Sequence, residues 1–399
     1  MVIKMKHKTV PITLLTGYLG SGKTTLLNRI LANKQGIKFA VVVNDIGEVN
    51  IDAELIEKGG IVGQEDESLV ALQNGCICCT LKMDLVKQLH DLIALHCFDY
   101  IVIEASGICE PAPIAQTICS FPSMEAEFTK DGIPYLDCIV TVVDALRMKD
   151  EFGNGNSLTK DNIGEEDIES LIIQQIEFCN IVLLNKASEV SPEELNHVKG
   201  IIRGLQPHAE IIPCDFGNIE FNKILNTNLF EFDKVASSAR WMEEIDHHIE
   251  EDDDNDDDHH DHHEHHHHHH HEEGEAEEYG ISTYVYYRRQ ALDIVGFDEF
   301  VARKWPKGII RAKGICYFDD ERDMCYIFEQ AGKQVTIRKA GQWYATMPAD
   351  ELEELLSREP GLRKDWDDKY GDRMQKIVFI GQHIDKKAIA DTLDKYLIP

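Results

Sequence analysis

Residues 17–24, Gly-Tyr-Leu-Gly-Ser-Gly-Lys-Thr, fit the spacing G-x-x-x-x-G-K-[ST] at every fixed position. That spacing holds phosphates: glycines let backbone N–H groups curl around the anion at a helix N-terminus. In such a loop Gly17, Gly20, Ser21, Gly22 and Thr25 shape the cradle, Lys23 reaches the outer phosphates, and Thr24 ligates Mg2+. Further along, Asn74-Gly-Cys76-Ile-Cys78-Cys79-Thr80 sets three thiols within four positions. A bridge between Cys78 and Cys79 would strain the backbone, and nothing in the sequence fixes a histidine beside a catalytic thiol. Thiolates this close suit Zn2+, Co2+ or Cu+, with other ligands from Glu48 or water. Adjacent cysteines in an extended chain point apart, so two of the three could bind at once. Buried structural thiols are the plain alternative.

Three more segments bear on the phosphate loop. Residues 101–107, IVIEASG, are an apolar run ending in Glu104, where a strand-end acid would hold the Mg2+ shell or position water. Residues 44–52, NDIGEVNID, carry acids and a glycine after a strand pattern, as a switch loop does and as an ordinary surface loop can. Residues 181–189 end a strand with Asn185-Lys186, the place where GTPases carry Asn-Lys-x-Asp. Here position 188 is Ser. A hydroxyl cannot accept both guanine N–H groups in the fork a carboxylate offers. The basis of guanine selection is therefore open, and Glu189 would serve only if the loop were shifted.

A different metal chemistry lies between 243 and 278, which hold 18 Asp/Glu and no Lys/Arg. Within it His259, His260, His262, His263, His265, His266, His267, His268, His269, His270 and His271 are eleven histidines in 13 positions. Imidazole suits Zn2+, Ni2+ and Cu2+, and carboxylates raise the local cation concentration. With almost nothing apolar to bury, the tract is expected to stay unfolded and to hold ions loosely, as a reservoir reaching at least ~30–35 Å. A solvated linker is the plain reading.

The elements that position these groups follow from pattern. Runs at 9–16, 37–44, 99–105, 136–145, 179–185 and 209–214 are nearly continuous Val/Ile/Leu, as in strands covered on both faces. Helical patterns alternate with them, one opening Ser191-Pro192 with Glu194 as a capping box. The fold class expected is α/β, a doubly wound, mostly parallel P-loop sheet over 1–225, then a linker with the acidic tract over 226–280. A smaller α+β domain follows over 281–399, with strand patterns starting at 279, 307, 324 and 333. Its Tyr284, Tyr286, Tyr287, Trp305, Trp343 and Tyr344 are expected to fill a core or line an interface, and Cys316 and Cys325 to be core thiols.

The net charge of −32 over 399 residues disfavours nucleic acid as a partner. No apolar run approaches a membrane span, and the basic N-terminus does not read as a signal peptide, so a cytoplasmic protein is expected. In that compartment the eleven cysteines are expected to be thiols or ligands rather than disulfides.

The P-loop, the 44–52 loop, Gly-Cys-x-Cys-Cys, IVIEASG, Asn-Lys and the 284–314 segment (YVYYRR to IIRAKG) together resemble the CobW-like family of P-loop GTPases. That family's signature is Cys-x-Cys-Cys between the P-loop and the second acidic strand. The resemblance implies GTP and Mg2+ as cofactors, a transition metal (commonly Zn2+, in some members Co2+), and client metalloproteins as partners. It implies Lys23 and Glu104 as catalytic, Asn185 and Lys186 beside the base, and Cys76, Cys78, Cys79 and Glu48 around the metal. A nucleotide-dependent homodimer is compatible with it, and hydrolysis should be slow because no arginine finger is evident in the nucleotide loops. The expected function is a GTP-hydrolysing zinc metallochaperone; the rivals are a passive zinc buffer or storage protein and a cobalt-handling factor in cobalamin synthesis.

Overall fold

Seven strands make one sheet in the order β3-β2-β4-β1-β5-β6-β7, and every recorded pairing in it is parallel. They are β1 (Thr9–Thr16), β2 (Phe39–Val43), β3 (Ala71–Gln73), β4 (Tyr100–Glu104), β5 (Ile133–Asp144), β6 (Ile181–Asn185) and β7 (Glu210–Pro213). The computed structural model describes residues 8–32, 36–43, 71–73, 82–152, 168–237, 280–332, 334–358, 362–363 and 366–398. These fall into two compact units, one drawn mainly from residues before 238 and one mainly from residues after 280.

β2, β4 and β6 are buried at every position, which is why they read as unbroken apolar runs rather than alternating ones. Helices α1 (Lys23–Leu31), α2 (Lys82–Ala94), α3 (Pro111–Cys119), α4 (Ala145–Phe152), α5 (Ile168–Glu177) and α6 (Pro192–Leu205) alternate with the strands. From α1, Leu26, Leu27 and Ile30 join Val41, Val102, Val140 and Leu183 of the sheet in one core cluster. Each such side chain contributes about 1.5–3 kcal/mol by burial. The capping box forms as expected: Ser191 N donates to Glu194 Oε2 at 2.8 Å, and Glu194 N donates to Ser191 Oγ at 3.3 Å.

β1 lies at the centre of the order, with β2–β4 on one side and β5–β7 on the other. The carboxyl ends of these parallel strands share one edge, where ligands bind doubly wound sheets. Two sequence expectations need adjusting. β3 lies in no apolar run and is absent from the expected strands, and β2 begins two residues later than the 37–44 run.

The second unit carries a five-stranded antiparallel sheet ordered β12-β11-β10-β13-β8. Its strands are β8 (Ile281–Arg288), β10 (Ile309–Cys316), β11 (Met324–Ala331), β12 (Gln334–Gln342) and β13 (Gln375–Gln382); β9 (Ala291–Leu292) pairs with β14 (Leu397–Ile398). α7 (Ile294–Arg303), capped by Asp293 accepting from Gly296 N, sends Phe297 and Phe300 into a core with Phe318, Phe328 and Phe379. Helices Ala349–Arg358 and Lys386–Leu393 also belong to this α+β unit. β13, an interior strand of the sheet, was not among the expected strands. Tyr286, Trp343 and Cys316 are buried as expected, whereas Tyr344 is exposed.

Candidate functional site

Three of the β1–α1 loop's glycines are in left-handed backbone conformations, and two are also crowded. Gly17 has φ +135°, and a Cβ there would lie 2.4 Å from Val142 O. Gly22 has φ +111°, and a Cβ would lie 2.3 Å from Asn185 Nδ2. No other residue fits both the backbone and the space at these positions. Gly20 also has positive φ and is exposed.

Lys23, buried in the first turn of α1, folds back so that Nζ donates to Gly17 O at 2.7 Å and Tyr18 O at 3.2 Å. It thus arches over the loop that a phosphate would occupy. Ser21 Oγ is buried and has no hydrogen-bond partner among the described residues. Thr25 is exposed on α1.

Beside the loop, Glu104 ends β4 in register with Leu15 of β1. Thr24 Oγ1 donates to Glu104 Oε1 at 3.4 Å. A hydroxyl and a carboxylate this close, next to a phosphate cradle, are the hard oxygen donors that Mg2+ takes while keeping waters and phosphate oxygens in its shell. These residues fit that ion. The chain after Glu104 is drawn against the phosphate loop: a Cβ on Gly107 would lie 2.8 Å from Leu19 N. Gln175 of α5 holds this segment by donating to Gly107 O at 3.3 Å and Cys109 O at 3.2 Å.

From β6 comes the third wall. Asn185 Nδ2 donates to Ser21 O at 2.9 Å, and its Oδ1 accepts from Gly217 N at 3.2 Å. One buried amide therefore joins the phosphate loop to the segment after β7. Lys186, at φ +57°, pairs with Asp144 at the end of β5. Ser188 donates through both N (3.0 Å) and Oγ (2.9 Å) to Asp215 Oδ1. The structure thus brings Gly17–Thr24, Glu104, Asn185 and Lys186 to one edge of the sheet.

Sequence reasoning missed Asp144, Gln175, Asp215 and Arg147, whose guanidinium lies 5.2 Å from the Tyr18 ring centroid in the phosphate loop. Asp144 carried a usable signal, since it ends an apolar strand just as Glu104 does. The others act through long-range contacts that no local pattern announces.

Cys76, Cys78, Cys79, Glu48 and the histidines from His259 to His271 lie outside the described residues. Among the described residues no group of three or more His, Cys, Asp or Glu could hold a metal ion. Cys97, Cys119, Cys138, Cys179, Cys214, Cys316 and Cys325 are free. Burial pushes the thiols of Cys138 and Cys179 up to about 12 and those of Cys214 and the half-buried Cys325 up to about 11, so they stay protonated near neutral pH. Cys109 is buried in the segment after Glu104. Among the described residues no helix is long and apolar enough to cross a membrane.

Comparison with known proteins agrees with this geometry. A family model described as CobW/HypB/UreG, nucleotide-binding domain, matches residues 11–213, and one described as the cobalamin synthesis protein cobW C-terminal domain matches 281–397. The zinc-regulated GTPase metalloprotein activator 1 of Dictyostelium discoideum is 33% identical over 93% of this chain and 76% of its own length. The zinc chaperone CobW of Pseudomonas aeruginosa is 32% identical over 55% of this chain and 60% of its own. The zinc chaperone YjiA of Escherichia coli is 30% identical over 58% of this chain and 65% of its own. Both bacterial matches thus span less than two thirds of the relative's length.

Proposed function

The chain belongs to the CobW/HypB/UreG family of P-loop GTPases, and on that premise we propose that it is a metallochaperone that loads and releases zinc under the control of GTP. Zinc is cargo in this reading, held at Cys76, Cys78 and Cys79 with Glu48 contributing and passed to client metalloproteins in the cytoplasm. The His259–His271 tract collects the ion loosely and feeds it to the thiols.

The observation that carries the reading is the edge of the parallel sheet. Val43 of β2 is in register with Gln73 of β3 on one side and with Glu104 of β4 on the other. The segment holding Glu48 leaves from Val43, and the segment holding the cysteines leaves from Gln73. With strands ~4.8 Å apart, these exits lie about 5 and 10 Å from the strand that ends in Glu104. Chain length alone keeps Cys76 within about 10 Å of Gln73. The Glu48 segment therefore starts from the strand next to β4 and the cysteine segment from the strand beyond it, which supports coupling between the two chemistries.

Lys23 leaves its two carbonyls for the β- and γ-phosphates, the loop N–H groups hold the same oxygens, and Thr24 with Glu104 holds Mg2+. When bound, Mg2+ offsets charge building on the phosphate oxygens. Glu104 positions the attacking water, and Asn185 keeps the phosphate loop in register with the base side. A γ-phosphate that orders the 44–52 loop also moves Glu48, so zinc and nucleotide bias each other's affinity reciprocally. A tenfold change in zinc affinity needs about 1.4 kcal/mol, within what one gained or lost ligand supplies.

GTP turnover with and without Zn2+ tests the reading. Zinc should change the rate in the intact chain and leave it unchanged in Cys76→Ala/Cys78→Ala/Cys79→Ala. A zinc effect that survives the triple substitution would remove the motif from the mechanism.

A further inference from the structure

Asn-Lys-x-Asp, the sequence by which GTPases read guanine, ends here in Ser188, so the chain lacks the carboxylate at the expected position. The fold supplies one from elsewhere. Asp215, two residues past β7, receives both hydrogen bonds that Ser188 can donate, from N at 3.0 Å and from Oγ at 2.9 Å, on its Oδ1. From this geometry we infer that Asp215 is the guanine-selecting residue and that Ser188 is the positioning residue that presents it. The inference rests on the GTPase reading and deepens it.

The segment bearing Asp215 is fastened from both sides. Cys214 N donates to Leu184 O at 2.9 Å, and Ala187 N donates to Cys214 O at 3.1 Å. On the other side of Asp215, Gly217 N is held by Asn185 Oδ1, the same side chain that grips Ser21 O in the phosphate loop. Asp215 therefore keeps a fixed place relative to the phosphate cradle through a single buried amide. That is the preorganisation a specificity group needs.

The carboxylate also has capacity to spare. It offers about four lone-pair sites. Ser188 takes two, both on Oδ1, and Oδ2 has no hydrogen-bond partner among the described residues. Guanine presents N1–H and the 2-amino group side by side, two donors for an acceptor-only group. Adenine presents a lone pair at N1 and is refused. The next residue, Phe216, is 71% exposed and held at φ +53°. A large apolar ring left in water on a left-handed backbone costs stability and persists where function requires it. It provides an apolar surface beside the carboxylate for the face of a base.

The rival account is purely structural: Asp215 caps the 3-10 turn Ala187–Glu189 and reads nothing. The two differ in what Asp215→Asn does. An amide pairs one donor and one acceptor with the base edge, which matches xanthine (N1–H and the 2-oxo group) and mismatches guanine. The experiment measures equilibrium binding of ribose-labelled fluorescent GDP, ADP and xanthosine diphosphate, all with Mg2+, to the full chain and its variants.

The intact chain should prefer GDP to ADP by at least a hundredfold. Asp215→Asn should lose tenfold or more in GDP affinity and gain tenfold or more for xanthosine diphosphate. Ser188→Asp/Asp215→Ser, which returns the carboxylate to the other strand end, should recover GDP binding relative to Asp215→Ser alone. That exchange decides the matter if Asp215→Asn melts early. An intact chain that binds ADP as tightly as GDP would overturn the guanine reading and this inference together. A guanine-selective chain whose Asp215→Asn variant keeps GDP and gains nothing for xanthine, or whose exchange fails to recover binding while folded, would overturn this inference alone.

Discussion

Asp137 and Asp215 are two aspartates at opposite ends of the same parallel sheet, and they are used in opposite ways. Asp137, near the amino end of β5, is fully buried. Its Oδ2 accepts from Tyr100 OH at 2.6 Å and Thr227 N at 3.0 Å, and its Oδ1 accepts from Asn228 N at 2.6 Å. Both oxygens are engaged, and the network closes through Thr13 Oγ1, 2.8 Å from the Tyr100 hydroxyl. Burial first, then Cys138 and Asp137, hold the Tyr100 phenol far above its ordinary pKa, so it stays a donor. Asp215, beyond the carboxyl end, carries its bonds on one oxygen and keeps the other for something outside the protein. A buried polar group with both oxygens engaged holds the fold together; Asp215, open to solvent on its second oxygen, is the one of the two that a base could reach.

The largest expected effect falls on the saturated side. Asp137→Ala strips partners from several buried donors at once and should cost about 3 kcal/mol or more of stability, read from urea unfolding. The folded fraction should still prefer GDP to ADP. A variant as stable as the parent would mean the network is not a stabilising one. On the ligand side, Lys23→Ala should weaken GDP binding by roughly a hundredfold, read by equilibrium titration, because the charge-assisted bonds lost in the complex are to phosphate. Glu104→Gln keeps the shape but removes the charge, and should lower GTP turnover roughly tenfold or more while GDP affinity changes far less. Ser188→Ala removes one of two props on Asp215 and should reduce GDP affinity about fivefold, the worth of about 1 kcal/mol, with Ser188→Thr restoring it.

The smallest effect near neutral pH concerns the buried thiols. Cys138 and Cys179 titrate at about 12 in the fold because burial penalises the thiolate, against about 9 when exposed. A raised folded pKa means their contribution is fully present below pH 9. It is lost as pH climbs toward 12, where the unfolded chain has released protons that the native state still holds. Stability should be flat in this respect through pH 8 and fall above 9, and Cys179→Ala should make that fall shallower.

Local chemistry was legible in the sequence and long-range pairing was not. The phosphate loop could be read because its spacing, its left-handed glycines and the helix it opens are consecutive. β1, β4 and β6 could be read because a strand covered on both faces has no polar alternation to hide it. β3 could not, since Ala71-Leu72-Gln73 owes its place to pairing with β2 rather than to its own composition. β13 escaped notice because it opens with Gln375 and Lys376, polar residues that are nonetheless buried. Asp215 was one acid among 72 Asp and Glu; only the fold brings it to Ser188, 27 positions away. The missing aspartate at 188 was visible, but its replacement was not.

The central claim is that nucleotide state sets zinc affinity. It is tested most directly on protein lacking residues 243–278, so that the histidine tract cannot mask the thiols. Zn2+ would be titrated against a chromophoric chelator with Mg-GDP bound and again with a non-hydrolysable GTP analogue. The account predicts a shift of tenfold or more between the two states, abolished in Cys78→Ala/Cys79→Ala. Equal zinc affinity with both nucleotides demonstrably bound would contradict it and leave a passive zinc buffer as the better description.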